Sequence, residues 1–222
     1  TLKVAPAKAY GHDLDAMYRM VGEDTRVVWI ANPNNPTGTW LPADALRDFL
    51  SRLPEHVVVV VDEAYAEYVD EPDYPDCTQW LDAFPRLVVT RTFSKIFGLA
   101  GLRVGYAVSS VEIADYLNRV RQPFNVNSLG LAAAEAALDD IEHLQRSAEV
   151  NRQGMDYLVA ACRERGLDFI PSVGNFIAID FGQPAEAMYQ AMMRQGVIVR
   201  PVANYEMPNH LRVTIGSAAE NR

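Results

Sequence analysis

Lys95 is the only lysine after residue 8 in a chain of 222 residues, in which three of the 20 basic side chains are lysines. It lies in Thr92-Phe93-Ser94-Lys95, after the apolar run Leu87-Val88-Val89-Thr90. The glycine-rich stretch Gly98-Leu99-Ala100-Gly101-Leu102-Arg103-Val104-Gly105 follows. A primary amine on the loop after a buried strand suits Schiff-base chemistry, because it condenses with an aldehyde whereas a guanidinium stays protonated. Asp62 closes the run Val57-Val58-Val59-Val60-Val61. A carboxylate at the mouth of so apolar a strand needs a partner. That partner is a helix N-terminus, an arginine or a buried cationic ligand. Tyr65 sets a phenol three residues on, and Asn35 sits in the turn-rich Asn32-Pro33-Asn34-Asn35-Pro36-Thr37-Gly38. Each piece alone reads as an ordinary turn or a solvated charge.

The elements that carry these residues follow from apolar patterning. Val27 to Ala31, Val57 to Val61 and Leu87 to Thr90 read as strands, the valine run as one buried on both faces of a parallel sheet. Gly101 to Val108 reads as a fourth strand weakened by its glycines. Pro42 opens a helix with Leu46, Phe49, Leu50 and Leu53 on one face. This alternation predicts an α/β domain with a mostly parallel sheet, whose ligands bind outside the carboxyl ends of the strands. After Ser110 the pattern changes. Leu129 to Leu138 and Ile141 to Arg165 read as helices, the second with Gly166 as its C-cap. Strands are expected at 176–180, 197–200 and 211–215, with a helix from Ala185 to Gln195. The expected division is a large domain over 1–149 and a small α+β domain over 150–222.

Hydrophobic residues make up 49% of the chain and charged residues 22%, which suits a globular domain. The net charge of −9 disfavours nucleic acid and anionic membrane surfaces as partners. Cys77 and Cys162 lie far apart, and His12, His56, His143 and His210 are scattered, so no metal site is expected. Neither a GxGxxG nor a Gly-Lys pair is present. The N-terminus has no signal-peptide pattern and no run is long enough to span a bilayer, so the cytoplasm is the expected compartment.

Taken together, Asn35-Pro36-Thr37-Gly38, Asp62-Glu63-Ala64-Tyr65 and Ser94-Lys95 with Arg103 resemble the fold-type I pyridoxal-phosphate aminotransferases, in the family's order. Gln122 to Asn127, Arg200 to Tyr205 and Leu211-Arg212-Val213-Thr214-Ile215-Gly216 look most like the histidinol-phosphate aminotransferase branch. The resemblance implies the fold-type I large domain, incomplete at its N-terminus, with a small C-terminal domain. It implies pyridoxal 5'-phosphate as cofactor and Lys95 as the lysine bound to its aldehyde. It further implies that Asp62 pairs with the pyridine nitrogen and that Tyr65 and Asn35 bond the phenolic oxygen. Thr92, Ser94 and Arg103 would hold the phosphate, and Arg212 the substrate anion. The implied reaction is ping-pong transfer between histidinol phosphate and 2-oxoglutarate or glutamate, a small-molecule amino donor and keto acceptor, in a homodimer.

Glu206 departs from the family, which commonly has glycine after the tyrosine. Tyr205 reads equally well as substrate-facing and as packed. The alternatives within the fold are an aromatic amino-acid aminotransferase and a threonine-phosphate decarboxylase. Outside it stand a non-catalytic cofactor-binding effector domain and an inactive fragment. The first residue is Thr1, and an N-terminal segment is expected beyond it.

Overall fold

The computed structural model describes residues 1–222. A short hairpin, β1 (Ala7–Lys8) and β2 (Gly11–His12), leads into α1 (Leu14–Met20). Then come β3 (Val27–Ala31), α2 (Ala43–Arg52), β4 (Val58–Asp62), β5 (Leu87–Thr92) and β6 (Gly105–Ser109). Three helices follow: α3 (Val111–Val120), α4 (Ser128–Asp139) and α5 (Ile141–Glu164). The chain ends with β7 (Asp168–Ile170), β8 (Phe176–Asp180), α6 (Glu186–Arg194), β9 (Arg200–Pro201) and β10 (His210–Thr214).

The first sheet has the order β3-β4-β5-β6. β3, β4 and β5 run parallel, whereas β6 returns antiparallel to β5. A parallel neighbour needs a crossover of a dozen or more residues, usually helical. The connection from Thr92 to Gly105 spends its length on the lysine loop and a 3-10 turn at Ala100–Leu102, so it reverses instead. That turn also delays the fourth strand, which starts at Gly105 rather than Gly101.

One face of this sheet makes the main core. Val28, Ile30, Val59, Val61, Leu87 and Val89 meet Leu46, Phe49 and Leu50 of α2, with Trp80 closing the side. α2 lacks a side-chain cap and has Pro42 at its N-terminus, so its apolar face against the sheet is what holds it. β4 is buried on both faces, as Val59, Val60 and Val61 attest. β3 is not: Val27 and Trp29 are 54% and 58% exposed.

The second sheet, β7-β8-β10-β9, is antiparallel throughout. α5 covers one side, where Cys162 meets Ile177 and Ile179. β9 pairs only through Arg200 and Pro201, opposite Arg212 and Leu211. The strand expected at Val197 to Arg200 is therefore displaced toward the C-terminus, and Ile198 stays 77% exposed. Residue 150 falls inside α5, which runs unbroken past it.

Glu206 ends a 3-10 turn, Ala203–Tyr205, in the left-handed region at φ 60. A Cβ is crowded there and glycine is not, which gives a backbone reason for the glycine that the resemblance leads one to expect. Glu206→Gly should stabilise the protein by about 1 kcal/mol, read as a higher urea midpoint with an unchanged slope.

Candidate active site

Register sets the site. Ala31 and Asp62 end β3 and β4, and Thr90 stands level with them, two residues before β5 ends. After β3 the chain turns sharply, and Asn32 fixes the turn from inside. It is fully buried; Leu41 N–H donates to its Oδ1 at 2.9 Å, and its Nδ2 donates to Leu41 O at 3.3 Å. Gly38 closes the turn at φ +75. A Cβ at Gly38 would lie 1.9 Å from Ser172 Oγ, and Val173 N–H donates to Gly38 O at 3.0 Å. The turn is thus seated on the segment that leads into β8.

Asn35 is the amide this turn presents. Its Nδ2 lies 3.4 Å from the Tyr65 hydroxyl, and its Oδ1 accepts from Arg212 Nη1 at 2.6 Å, across 177 residues. Tyr65 follows β4 and is buried. Phe176, at the start of β8, stands edge-on to the Tyr65 ring at 5.2 Å. The Arg212 guanidinium lies over the other aromatic of this pair, 5.1 Å from the Phe176 centroid, and its Nε is buried without a partner. Lys95 Nζ sits 5.0 Å from the Tyr65 centroid, a cation–π contact, and makes no hydrogen bond or ion pair within the chain. One connected set of contacts therefore joins Lys95, Tyr65, Asn35, Arg212 and Phe176.

A second set lies on the lysine loop. Ser94 N–H donates to Thr92 Oγ1 at 3.0 Å, and Arg103 Nη1 donates to Ser94 Oγ at 3.3 Å and to Ala100 O at 2.7 Å. Arg103 itself is left-handed at φ 57. Asn127 steadies this turn from α4, capping Gly130 N–H with Oδ1 and donating from Nδ2 to Leu102 O at 2.9 Å. Two hydroxyls and an exposed guanidinium on one turn form a cradle with donors for an anion.

Asp62 and Thr90 share a face of the sheet, since parallel partners in register point the same way. The Asp62 side chain has neither a hydrogen bond nor an ion pair within the chain. This removes two of the partners weighed for it, a helix N-terminus and an arginine. Thr90 Oγ1 beside it is buried and unpartnered.

The next residue, Glu63, points the other way and is fully buried. Arg91 Nε and Nη2 donate to its Oε2 at 3.0 and 2.7 Å, and Cys77 N–H donates to Oε1 at 3.0 Å. Arg91 also pairs with Asp76 at 2.8 Å. Burial pulls the Arg91 pKa down, but its bonds to Glu63 outweigh this and leave it above its usual value. Burial, then the charge on Glu63, pushes up both the Cys77 thiol and the Tyr74 phenol, so both stay neutral. The pair ties β4 to β5 behind Asp62. Sequence reasoning assigned no role to Glu63, Arg91, Thr90 or Phe176. For Arg91 the usable signal was an arginine inside an otherwise uncharged strand.

The family model for aminotransferase class I and II matches residues 1–222. The chain belongs to that family. Among curated members it is 63% identical over 219 residues to histidinol-phosphate aminotransferase 2 of Pseudomonas fluorescens, covering 99% of this chain and 59% of that protein. It is 60% identical over 226 residues to the Methylococcus capsulatus enzyme of the same name, covering 99% and 61%. Among solved structures, histidinol-phosphate aminotransferase from Sinorhizobium meliloti in complex with pyridoxal-5'-phosphate is 32% identical. It aligns at a TM-score of 0.90 over 99% of this chain and 61% of that one. An aspartate aminotransferase of Thermus thermophilus, 23% identical, shares the fold at a TM-score of 0.82 over 96% and 61% of the two chains. The chain thus spans about three-fifths of the length of these relatives. No helix of this aminotransferase-family chain is long and apolar enough to cross a membrane.

Arg91→Met would strand the Glu63 carboxylate in the core. Removing one member of a buried pair costs roughly 3–5 kcal/mol, so a large fall in the urea midpoint is expected. Adding Glu63→Gln should recover much of the loss. A single variant as stable as wild type would show that the pair does not hold β4 to β5.

Proposed function

We propose that this chain is the lysine-bearing part of a pyridoxal-phosphate-dependent aminotransferase acting between histidinol phosphate and 2-oxoglutarate or glutamate. The observation that carries the reading is the single contact set joining Lys95, Tyr65, Asn35 and Arg212 at the strand ends. The names and identities of the relatives support the substrate.

The residues present fit the cofactor. Four groups lack partners or stand ready for one: the Lys95 amine, the Asp62 carboxylate, the Arg212 Nε and the cradle of Thr92, Ser94 and Arg103. Bound pyridoxal phosphate supplies an aldehyde for the lysine and a pyridinium that draws electrons from the substrate carbon. Asp62 would hold a proton on the pyridine nitrogen, because a nearby anion favours the protonated ring. Tyr65 and Asn35 would donate to the phenolic oxygen. Thr92, Ser94 and Arg103 would bind the phosphate. Lys95, once released, would move the proton at the substrate carbon as a general base and acid. Arg212 would bind the anion of either substrate: the carboxylate of glutamate, or the phosphate of histidinol phosphate, which has no carboxylate. Its contact with Asn35 fixes the guanidinium before substrate arrives.

The reading carries further parts. The division into a large domain over 1–149 and a small domain over 150–222 is supported by two separate sheets with separate cores, and it falls within α5. A homodimer is supported by the exposed apolar side chains Val120, Phe124 and Leu129. A cytoplasmic location fits a biosynthetic enzyme.

In the protein that carries this chain, borohydride reduction and peptide mapping should place the pyridoxyl group on Lys95. Label on Lys3 or Lys8 would overturn the assignment. Lys95→Ala should abolish turnover.

Half-reactions test Arg212 and the substrate together. Arg212→Ala should impair the reactions with both glutamate and histidinol phosphate, by roughly 2–5 kcal/mol in kcat/KM. Loss with glutamate alone would move the phosphate to another residue, with Arg200 the next candidate. Faster wild-type turnover with phenylalanine, or decarboxylation of threonine phosphate, would replace histidinol phosphate as the substrate.

A further inference from the structure

α5 makes one contact that the site above does not use. His143 Nε2 lies 3.0 Å from the carbonyl oxygen of Ile96, which stands 47 residues earlier in the chain. A carbonyl only accepts, so Nε2 carries the hydrogen and the imidazole donates. The ring is held in turn. His143 occupies the first turn of α5, where its backbone N–H donates to the capping Asp140 Oδ1 at 3.0 Å. Ser147 Oγ, one turn on, lies 3.4 Å from the same ring nitrogen.

Ile96 is the residue after Lys95. Its side chain is 3% exposed, in a small core with Phe93, Phe97, Val104 and Ala134, against which Leu144 and Ala148 of α5 pack. Its carbonyl has no partner other than His143. α5 therefore holds this loop in two ways, by packing on the cluster that contains the Ile96 side chain and by the bond to the Ile96 carbonyl. The Lys95 carbonyl is held separately, by Gly98 N–H at 2.9 Å. The Lys95 amine has no hydrogen bond to steer it. The direction in which it leaves the loop is set by the backbone on either side of it, and His143 supplies the side-chain bond to the residue next to it on the C-terminal side.

We propose that His143 is a positioning residue for Lys95. By donating to the Ile96 carbonyl it fixes the Ile96–Phe97 peptide, one residue beyond the lysine, and so aims the amine at the Tyr65 ring. The inference rests on the reading of Lys95 as the aldehyde-bound lysine. A misplaced reacting group costs rate steeply, about a hundredfold for an ångström, whereas loss of mere packing costs stability. The two roles are therefore separable.

The test compares His143→Gln, which keeps a donor near the same place, with His143→Leu, which keeps bulk and loses the donor. His143→Asn, a donor too short to reach, replaces His143→Leu if that variant does not fold. Each is made in the protein that carries this chain. The readouts are the rate at which added pyridoxal phosphate develops its lysine-bound visible band, the pH midpoint of that band, and the melting temperature. His143→Leu and His143→Asn should slow band formation about tenfold or more and move its pH midpoint, and His143→Gln should restore both. If the Leu and Asn variants match wild type in rate and midpoint, or lose only melting temperature, the positioning role is overturned. If Gln behaves like Leu, the hydrogen bond is not the cause. Borohydride labelling of the wild type separates the two levels: label away from Lys95 sinks the lysine assignment itself, whereas label on Lys95 with unaffected variants sinks only the role of His143.

Discussion

Everything at this site depends on parallel strands held in one register. Ala31, Asp62 and Thr90 lie abreast because β3, β4 and β5 run the same way and are paired without offset. Three loops then leave the sheet from one edge, carrying Asn35, Tyr65 and Lys95. A slip of one residue would turn Asp62 to the opposite face and bring Glu63 forward in its place. The Glu63–Arg91 pair guards against that slip. It is formed only when Glu63 faces the core side of β4 and Arg91 reaches it from β5. A slip that parted Glu63 from Arg91 would leave a carboxylate buried without its partner, which is strongly disfavoured.

The rest of the site comes from far along the chain. Phe176 and Arg212 lie on β8 and β10, strands paired with each other through Arg212 and Ala178. Two links bring them to the strand ends: the turn at Gly38 seated on Ser172, and α5, whose Asn151 donates to Gly174 O at 3.2 Å. The same helix reaches the lysine loop through His143 and the second sheet through Cys162. A single rigid element thus touches both groups of site residues.

Much of this was legible in the sequence, for a physical reason. Continuous β-branched runs announce buried parallel strands, and polar residues just after such runs have one place to go. That is enough to bring Asn35, Asp62, Tyr65 and Lys95 to one edge. What stayed hidden depends on direction rather than identity. Val27-Val28-Trp29-Ile30 is apolar throughout, so nothing in it tells that alternate side chains of β3 are exposed. Phe176 opens an apolar strand and looks like core, yet its ring meets Tyr65 and Arg212. The reversal at β6 follows from how the lysine loop uses its residues, which the glycines only hint at. The bond from His143 to Ile96 has no spacing signal at all. α3 was missed, although Ser110 as its cap and the spacing of Ile113, Leu117 and Val120 are the signal it offers; no residue of it is buried.

Arg103 adopts a backbone conformation that suits glycine, and it does so while its side chain reaches the Ser94 hydroxyl. Fold and chemistry ask for different residues at this one place. A screen that rewards only thermal resistance would drift toward glycine there, gaining on the order of 1 kcal/mol and discarding the guanidinium. A lineage that keeps arginine at such a position is being held there by something other than folding. Under the phosphate role proposed for Arg103, position 103 serves as a gauge in engineered or drifting copies of this chain: loss of the arginine marks lapsed selection for that role.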